Sequence, residues 1–185
     1  VTKRKEESVV DLLRQQHEEI RKLFGKVEQA TGKNRKNSFE QLRYLLAVHE
    51  TAEEEIVHPF ARRTIGNGER IIHARLKEEK IAKEILQQLE EVGTDSAEFE
   101  PLLVRLHKAV EAHSEHEETV EFPKLVAKST PEELKGMATA VKAAEAIAPT
   151  HPHPGTETAA KSIAMGSVAA VIDRTRDAIH KATKS

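Results

Sequence analysis

Along the first two thirds of the chain, apolar residues recur in alternating steps of three and four, and in four stretches histidine or carboxylate interrupts the recurrence. The first stretch reads Val10, Leu13, His17, Ile20, Phe24, Val27, and the second Phe39, Leu42, Leu46, His49, Glu53, Ile56, Phe60. A third reads Ile72, Leu76, Glu79, Ala82, Leu86, Leu89, and a fourth Leu103, Leu106, Val110, His113, Glu117, Val120. Such spacing puts every member of a set on one side of a helix, so four amphipathic helices are predicted. His17, His49, Glu53, Glu79, His113 and Glu117 then point into the place where a four-helix bundle keeps its core. A buried, unpaired ion is very costly, so groups of this kind are paired with one another or bind metal.

Helix punctuation supports the same architecture. Ser8 with Asp11, Ser38 with Gln41 and Thr130 with Glu133 have capping-box spacing, and Pro131 stands where a first-turn proline belongs. Residues 32–37, 65–68 and 93–96 are breaker-rich and read as short connections, which join antiparallel neighbours in up-down-up-down order. No stretch alternates with period two over a useful length, so no strands are expected. The fold class is all-α: a four-helix bundle over residues 1–130 with a C-terminal extension over 131–185. Within the extension, 130–148 reads as a helix, 149–155 (PTHPHPG) as an extended linker, and 156–181 as a further helix with a weak stripe of Ile163, Val168, Val171 and Ile172. Packing of the extension on the bundle or on a partner is expected, and a monomer and a dimer are both open.

Charge and composition narrow the partners. A net charge of −2 gives no general attraction to nucleic acid or anionic membrane, and 3% aromatic content without Trp gives no platform for base stacking. Cysteine is absent, which excludes thiolate zinc sites, iron–sulfur clusters and disulfides, and fits a reducing interior. The longest nearly apolar run, 163–172, is too short to span a bilayer, and the first residues do not read as a secretory leader. The expectation is a cytoplasmic protein with no nucleic-acid or membrane partner. Neither a phosphate-cradling glycine loop nor a nucleophile elbow is present.

An internal repeat organises the ionisable residues. His49, Glu53 and Pro59 recur as His113, Glu117 and Pro123, each displaced by 64 residues. His17 precedes the first trio as Glu79 precedes the second, so the chain resembles two helical hairpins of one plan. In each H-x-x-x-E, the two side chains lie roughly 40° apart around the axis and one turn along it. The histidine can hold one metal terminally while the glutamate bridges to a second, with Glu53 and Glu117 as bridges. Mixed imidazole and carboxylate ligation suits Fe or Mn, with Zn competing. A single H-x-x-x-E in a chain that is 32% charged would read as solvated surface, and a lone His17 as a hydrogen-bonded core residue. Two copies in matching register argue otherwise. Pro59 and Pro123 are expected to bend or end their helices beyond the site.

The remaining candidates read differently. On the third helix, Glu78 or His73 is the alternative to Glu79. His58 forms E-x-x-H with Glu55, but the motif does not recur and both residues fall off the stripe. Glu50, Glu115 and His116 read as solvated, and His151 and His153 as linker residues. His107 and His180 carry no signal.

The pattern resembles the hemerythrin-like, or HHE cation-binding, family. Its ligand plan H…HxxxE…H…HxxxE is matched by LLRQQHEEIRKLF around His17, LAVHETAEEEIVHPF around His49 and Glu53, and VEAHSEHEETVEFP around His113 and Glu117, over roughly residues 8–127. The resemblance implies two non-haem iron ions, oxo- or hydroxo-bridged, that meet O2, peroxide or nitric oxide; the PTHPHPG tail is similar to actinobacterial members. It also implies a histidine on the third helix, where RLKEEKIAKEIL offers Glu79. An added hard anionic ligand favours the ferric state and disfavours reversible O2 carriage. The expected function is binding or reduction of small oxidants in oxidative or nitrosative stress defence, with weak catalase- or peroxidase-type activity. A sensor or iron-storage module without turnover, and a metal-free helical interaction protein, are the alternatives.

Overall fold

Ser8 opens the first helix as its pattern predicts: its Oγ accepts the Asp11 backbone N–H at 3.2 Å, and Asp11 Oδ2 accepts the Ser8 N–H at 3.3 Å. The computed structural model describes residues 7–145 together with 173, 174, 176 and 177. Within them lie α1 (Val9–Gln29), α2 (Gly32–Ala52), α3 (His58–Thr64), α4 (Gly68–Val92), α5 (Phe99–His116), α6 (Phe122–Lys128) and α7 (Pro131–Glu145). A π-helical turn, Glu53–Val57, joins α2 to α3, and a second, Glu117–Glu121, joins α5 to α6. Four long rods result, α1, α2–α3, α4 and α5–α6, in the up-down-up-down order of a hemerythrin-like bundle. Among the described residues, no helix is long and apolar enough to cross a membrane.

Each rod packs chiefly on its hairpin neighbour, α1 on α2 and α4 on α5. At one end of the bundle Phe24, Val27, Leu42, Leu89 and Leu103 are buried, and the Phe39 and Phe99 rings meet edge to face at 5.0 Å. Leu13, Val57, Ala61, Ile72 and Leu125 fill the other end. Burying each large aliphatic side chain contributes about 2 kcal/mol, and the polar site lies between these two apolar layers. The first helix of the extension lies on α1 and α2, covering them with Leu134, Met137, Ala138 and Val141. Its start is capped reciprocally, Glu133 N–H to Thr130 Oγ1 at 3.2 Å and Thr130 N–H to Glu133 Oε2 at 2.8 Å. The linker and the last predicted helix lie outside the described residues, apart from the four named above; of these, Arg176 donates to Glu55 at 2.9 Å.

Three expectations are corrected. Residues 32–37 are helical, not a loop: α2 begins at Gly32, where φ is +51°, and Arg35 Nε ties the first turn back to the Ala30 carbonyl at 2.8 Å. The true connection is the two residues Ala30 and Thr31, and Ser38 lies inside the helix. Pro59 and Pro123 do not end their rods. Each follows a π turn whose hydrogen bond runs over one extra residue, from the His58 N–H to the Glu53 carbonyl and from the Phe122 N–H to the Glu117 carbonyl. That opening accommodates the missing proline N–H and the ring. The same extra residue resets the apolar stripe. Beyond Glu53 the buried positions become Val57, His58 and Ala61, leaving Ile56 and Phe60 half-buried; beyond Glu117 they become Glu121, Phe122 and Leu125, leaving Val120 38% exposed.

Candidate metal centre

All six side chains singled out by the pattern are inside. His17, His49, Glu53, Glu79, His113 and Glu117 are each no more than 5% exposed. One donor atom from each of His17, His49, Glu53 and Glu117 falls within 4.8 Å of the others, and the same holds for a second group of Glu53, His58 and Glu79. Glu53 belongs to both groups. His113 stands outside both, its Nε2 3.4 Å from Glu117 Oε1 and 3.8 Å from Glu53 Oε2.

The histidines are aimed by their outer nitrogens. His17 Nδ1 lies 2.7 Å from Glu118 Oε1, His49 Nδ1 2.5 Å from Gln16 Oε1, and His113 Nδ1 3.1 Å from Glu78 Oε2. An N–H at each Nδ1 leaves the Nε2 lone pair directed inward, the arrangement by which a second layer of acceptors fixes ligating imidazoles. The His17 and His49 Nε2 atoms then face each other at 3.1 Å. Two lone pairs so placed repel unless a proton or a cation lies between them. The His17 ring is held from its other side by Phe122, stacked at 5.9 Å.

The carboxylates carry the stronger signal. Both side-chain oxygens of Glu53, Glu117 and Glu121, and Oε2 of Glu79, are buried with no hydrogen-bond partner. Seven such oxygens in one core would cost several kcal/mol in the absence of a cation. Burial and the adjacent Glu117 push Glu53 up to about 7. Burial would raise Glu117 too, but His113 and His17 beside it hold it far below the carboxylate range. For His17, His58 and His113, burial works against the charge, yet the facing glutamates outweigh it and raise all three. His49 faces other imidazoles and is driven well down by burial. The donor set therefore fits divalent metal: three inward imidazoles, a shared carboxylate and uncompensated negative charge.

Two residues read as solvated or off the stripe are neither. His58 is 2% exposed, with Nε2 2.6 Å from Glu79 Oε1 and Nδ1 3.4 Å from Glu121 Oε1. The π turn rotates it inward; on an uninterrupted α-helix it would face away. The repeated proline six residues past Glu53 and Glu117 was the available signal. Glu50 is 6% exposed because α4 lies over it, with Lys83 Nζ at 3.7 Å, and burial pushes its carboxyl up to about 8. A small cavity walled by Ile20, Leu46, Ala82 and Val110 reaches His49, Glu50, Glu79 and His113. On α4 the inward residue is Glu79; Glu78 sits outside, accepting from His113 and from His116 at 2.9 Å, and His73 is exposed. His151, His153 and His180 lie outside the described residues.

Antiparallel rods closing on a His/Glu cluster able to hold two metals define a bundle of the hemerythrin-like class. Residues 8–125 match the hemerythrin HHE cation binding domain, and the chain belongs to that family. It is 29% identical over 143 residues to an uncharacterized hemerythrin-like protein of Schizosaccharomyces pombe, covering 74% of this chain and 68% of that one. It is also 26% identical over 139 residues to a DNA nickase of Nostoc, covering 75% of this chain but only 39% of the relative. Among solved structures, a hemerythrin HHE cation binding domain-containing protein from Mycobacterium kansasii superposes with a TM-score of 0.69 over 91% of this chain and 98% of that one. At 18% identity that likeness is one of fold.

Proposed function

We propose that the protein holds two non-haem iron ions between its hairpins and binds or reduces small oxidants (O2, peroxide or nitric oxide) in cytoplasmic stress defence. The observation that carries this reading is the set of buried, unpartnered oxygens of Glu53 and Glu117 facing the inward nitrogens of His17, His49 and His113. Iron fits mixed imidazole and carboxylate donors; Mn and Zn are the competitors. When bound, a pair of redox-active ions supplies a Lewis-acidic coordination position and the electrons for reducing an oxidant.

The chain's own residues provide the rest. His17, His49, Glu53, Glu79, His113 and Glu117 would hold the ions, Glu53 being the residue common to both donor groups. Glu118, Gln16 and Glu78 orient the three imidazoles through Nδ1. Ile20, Leu46, Ala82 and Val110 form the apolar walls of a small cavity that reaches His49 and His113. Glu79, in place of an imidazole, favours the ferric state and so oxidant reduction over reversible O2 carriage.

Anaerobic loading with Fe(II), followed by metal analysis and absorption spectroscopy, tests the reading. About two irons per chain, near-ultraviolet charge-transfer bands after oxidation, and consumption of peroxide are expected. Stable, reversible O2 binding without oxidation would overturn the redox assignment, and failure to retain any metal would overturn the whole. Burial of every ligand favours a second reading, iron sensing or storage without turnover. Two retained irons with no peroxide or nitric oxide chemistry would select it.

A further inference from the structure

The family resemblance implies an imidazole from the third rod, and this chain has Glu79 there instead. Glu53, Glu79 and Glu121 are each no more than 1% exposed and converge on one neutralising ring, that of His58. Lys83 touches this corner only from the solvent side, 3.7 Å from Glu79 Oε2. One imidazolium and one lysine leave both oxygens of Glu53 and of Glu121 without a hydrogen bond, as well as Oε2 of Glu79. An internal ion pair thus satisfies this corner incompletely, and a cation satisfies it better.

We propose that His58 supplies through Nε2 the imidazole of a second metal position shared with Glu53 and Glu79, and that Glu121 sets the ring's orientation through Nδ1. The inference rests on the di-metal reading above and extends it to a residue outside the family's H…HxxxE…H…HxxxE pattern. The π turn is what makes the delivery possible. It turns a side chain five residues past Glu53 onto the face that Glu53 itself occupies. Glu121 faces His58 Nδ1 at 3.4 Å, beyond a hydrogen bond here, on the nitrogen that does not face the centre, the side from which Glu118 meets His17 at 2.7 Å and Glu78 meets His113 at 3.1 Å.

The two positions then differ in chemistry. One donor group is His17, His49, Glu53 and Glu117; the other is Glu53, Glu79 and His58, with a single imidazole, while His113 belongs to neither group and stands 3.4 Å from Glu117 and 3.8 Å from Glu53. Fewer nitrogen donors make the second position harder, better suited to Mn(II) or ferric iron than to softer ions, and the first to give up its ion to a chelator.

Full-length protein and its His58→Ala variant are loaded anaerobically with Fe(II), desalted and analysed for metal per chain, with circular dichroism on the same samples. Two ions in the wild type and about one in H58A, at unchanged helicity, is the expected result. Two ions in both overturns the role of His58 and leaves the di-metal reading standing. No ion in the wild type overturns both. If H58A does not fold, His58→Asn, which keeps a polar group facing Glu121, replaces it and is read in the same way. For the positioning role, E121Q preserves an acceptor for Nδ1 and should hold the second ion as the wild type does. E121L removes it and should release that ion to a chelator at roughly tenfold lower chelator concentration. Equal retention by E121Q and E121L overturns the assignment of Glu121.

Discussion

His17 and Glu118, 101 residues apart in the chain, meet at 2.7 Å between Nδ1 and Oε1, and Arg21 grips the same oxygen at 3.3 Å. The contact joins the first hairpin to the second and sets which nitrogen of His17 faces inward. Glu118→Ala should therefore weaken metal retention by about 10- to 100-fold while leaving every ligand in place. Glu118→Gln, which can still accept the Nδ1 proton, should lose much less. Chelator competition separates the two, and equal loss in both variants would refute the tautomer argument.

Glu53 is fully buried, belongs to both donor groups and has neither oxygen hydrogen-bonded. Glu53→Leu should abolish metal binding and raise the melting temperature of the metal-free protein, since a buried carboxyl without a hydrogen bond is replaced by an apolar side chain of similar volume. The expected gain is about 1–3 kcal/mol, the desolvation penalty of a buried carboxyl without a hydrogen bond. A lower melting temperature in the metal-free variant would mean that the carboxylate is well compensated without a cation.

The metal-free protein should lose stability as pH rises from 6.5 to about 8. His17, His58 and His113 are raised above 6.5, so their contribution is complete below that value and is lost as pH climbs through the folded values. Glu50, pushed from 4.5 up to about 8 by burial, loses its contribution progressively from 4.5 to about 8, a window that includes this span. The lowered carboxylates Glu78, Glu117 and Glu118 act in the opposite sense, but below 4.5, where their stabilisation is lost as pH falls. Metal binding should release protons and strengthen as pH rises. Thermal melts of chelator-treated protein at pH 6.5 and 8 check the first statement, and a melting temperature that increases across that range contradicts it.

Gly68 begins α4 against the end of α3. A Cβ there would lie 2.6 Å from the Arg62 carbonyl oxygen and 2.7 Å from that of Ala61. Both are backbone atoms and cannot swing aside. Gly68→Ala should cost about 1–3 kcal/mol, seen as a lower calorimetric midpoint with little change in metal stoichiometry. An unchanged midpoint would show that the 65–68 turn shifts freely.

The stripes of α1 and α4, and those of α2 and α5 as far as Glu53 and Glu117, were legible because an uninterrupted α-helix has one period. From the sequence, His17, Glu79 and the two H-x-x-x-E pairs could all be placed inside for that reason. Legibility stopped where the period changed. Past each π turn the count slips by one residue, so Val120 was expected inside and His58 outside, when the reverse holds. The two prolines mark those turns, but a proline read alone predicts a bend. Glu50 was missed for another reason: a residue flanking a helix's apolar stripe is buried or exposed according to the rod laid over it, which a single helix does not encode. Gly32 to Asn37 looked like a loop on composition, and the Arg35 hold on Ala30 that stabilises the first turn is visible only in three dimensions.

The division of donors between the two hairpins has a consequence for the protein's lifetime. The first hairpin carries His17, His49 and Glu53 and the second Glu79, His113 and Glu117, while packing is denser within each hairpin than between them. An ion at the centre would act as a clasp across the weaker seam, and its binding energy would add to the cost of separating the halves. Loss of the ion would leave mutually repelling carboxylates along that seam. Opened hairpins are what proteases cut, so the metal-free chain would be shorter-lived than the loaded one.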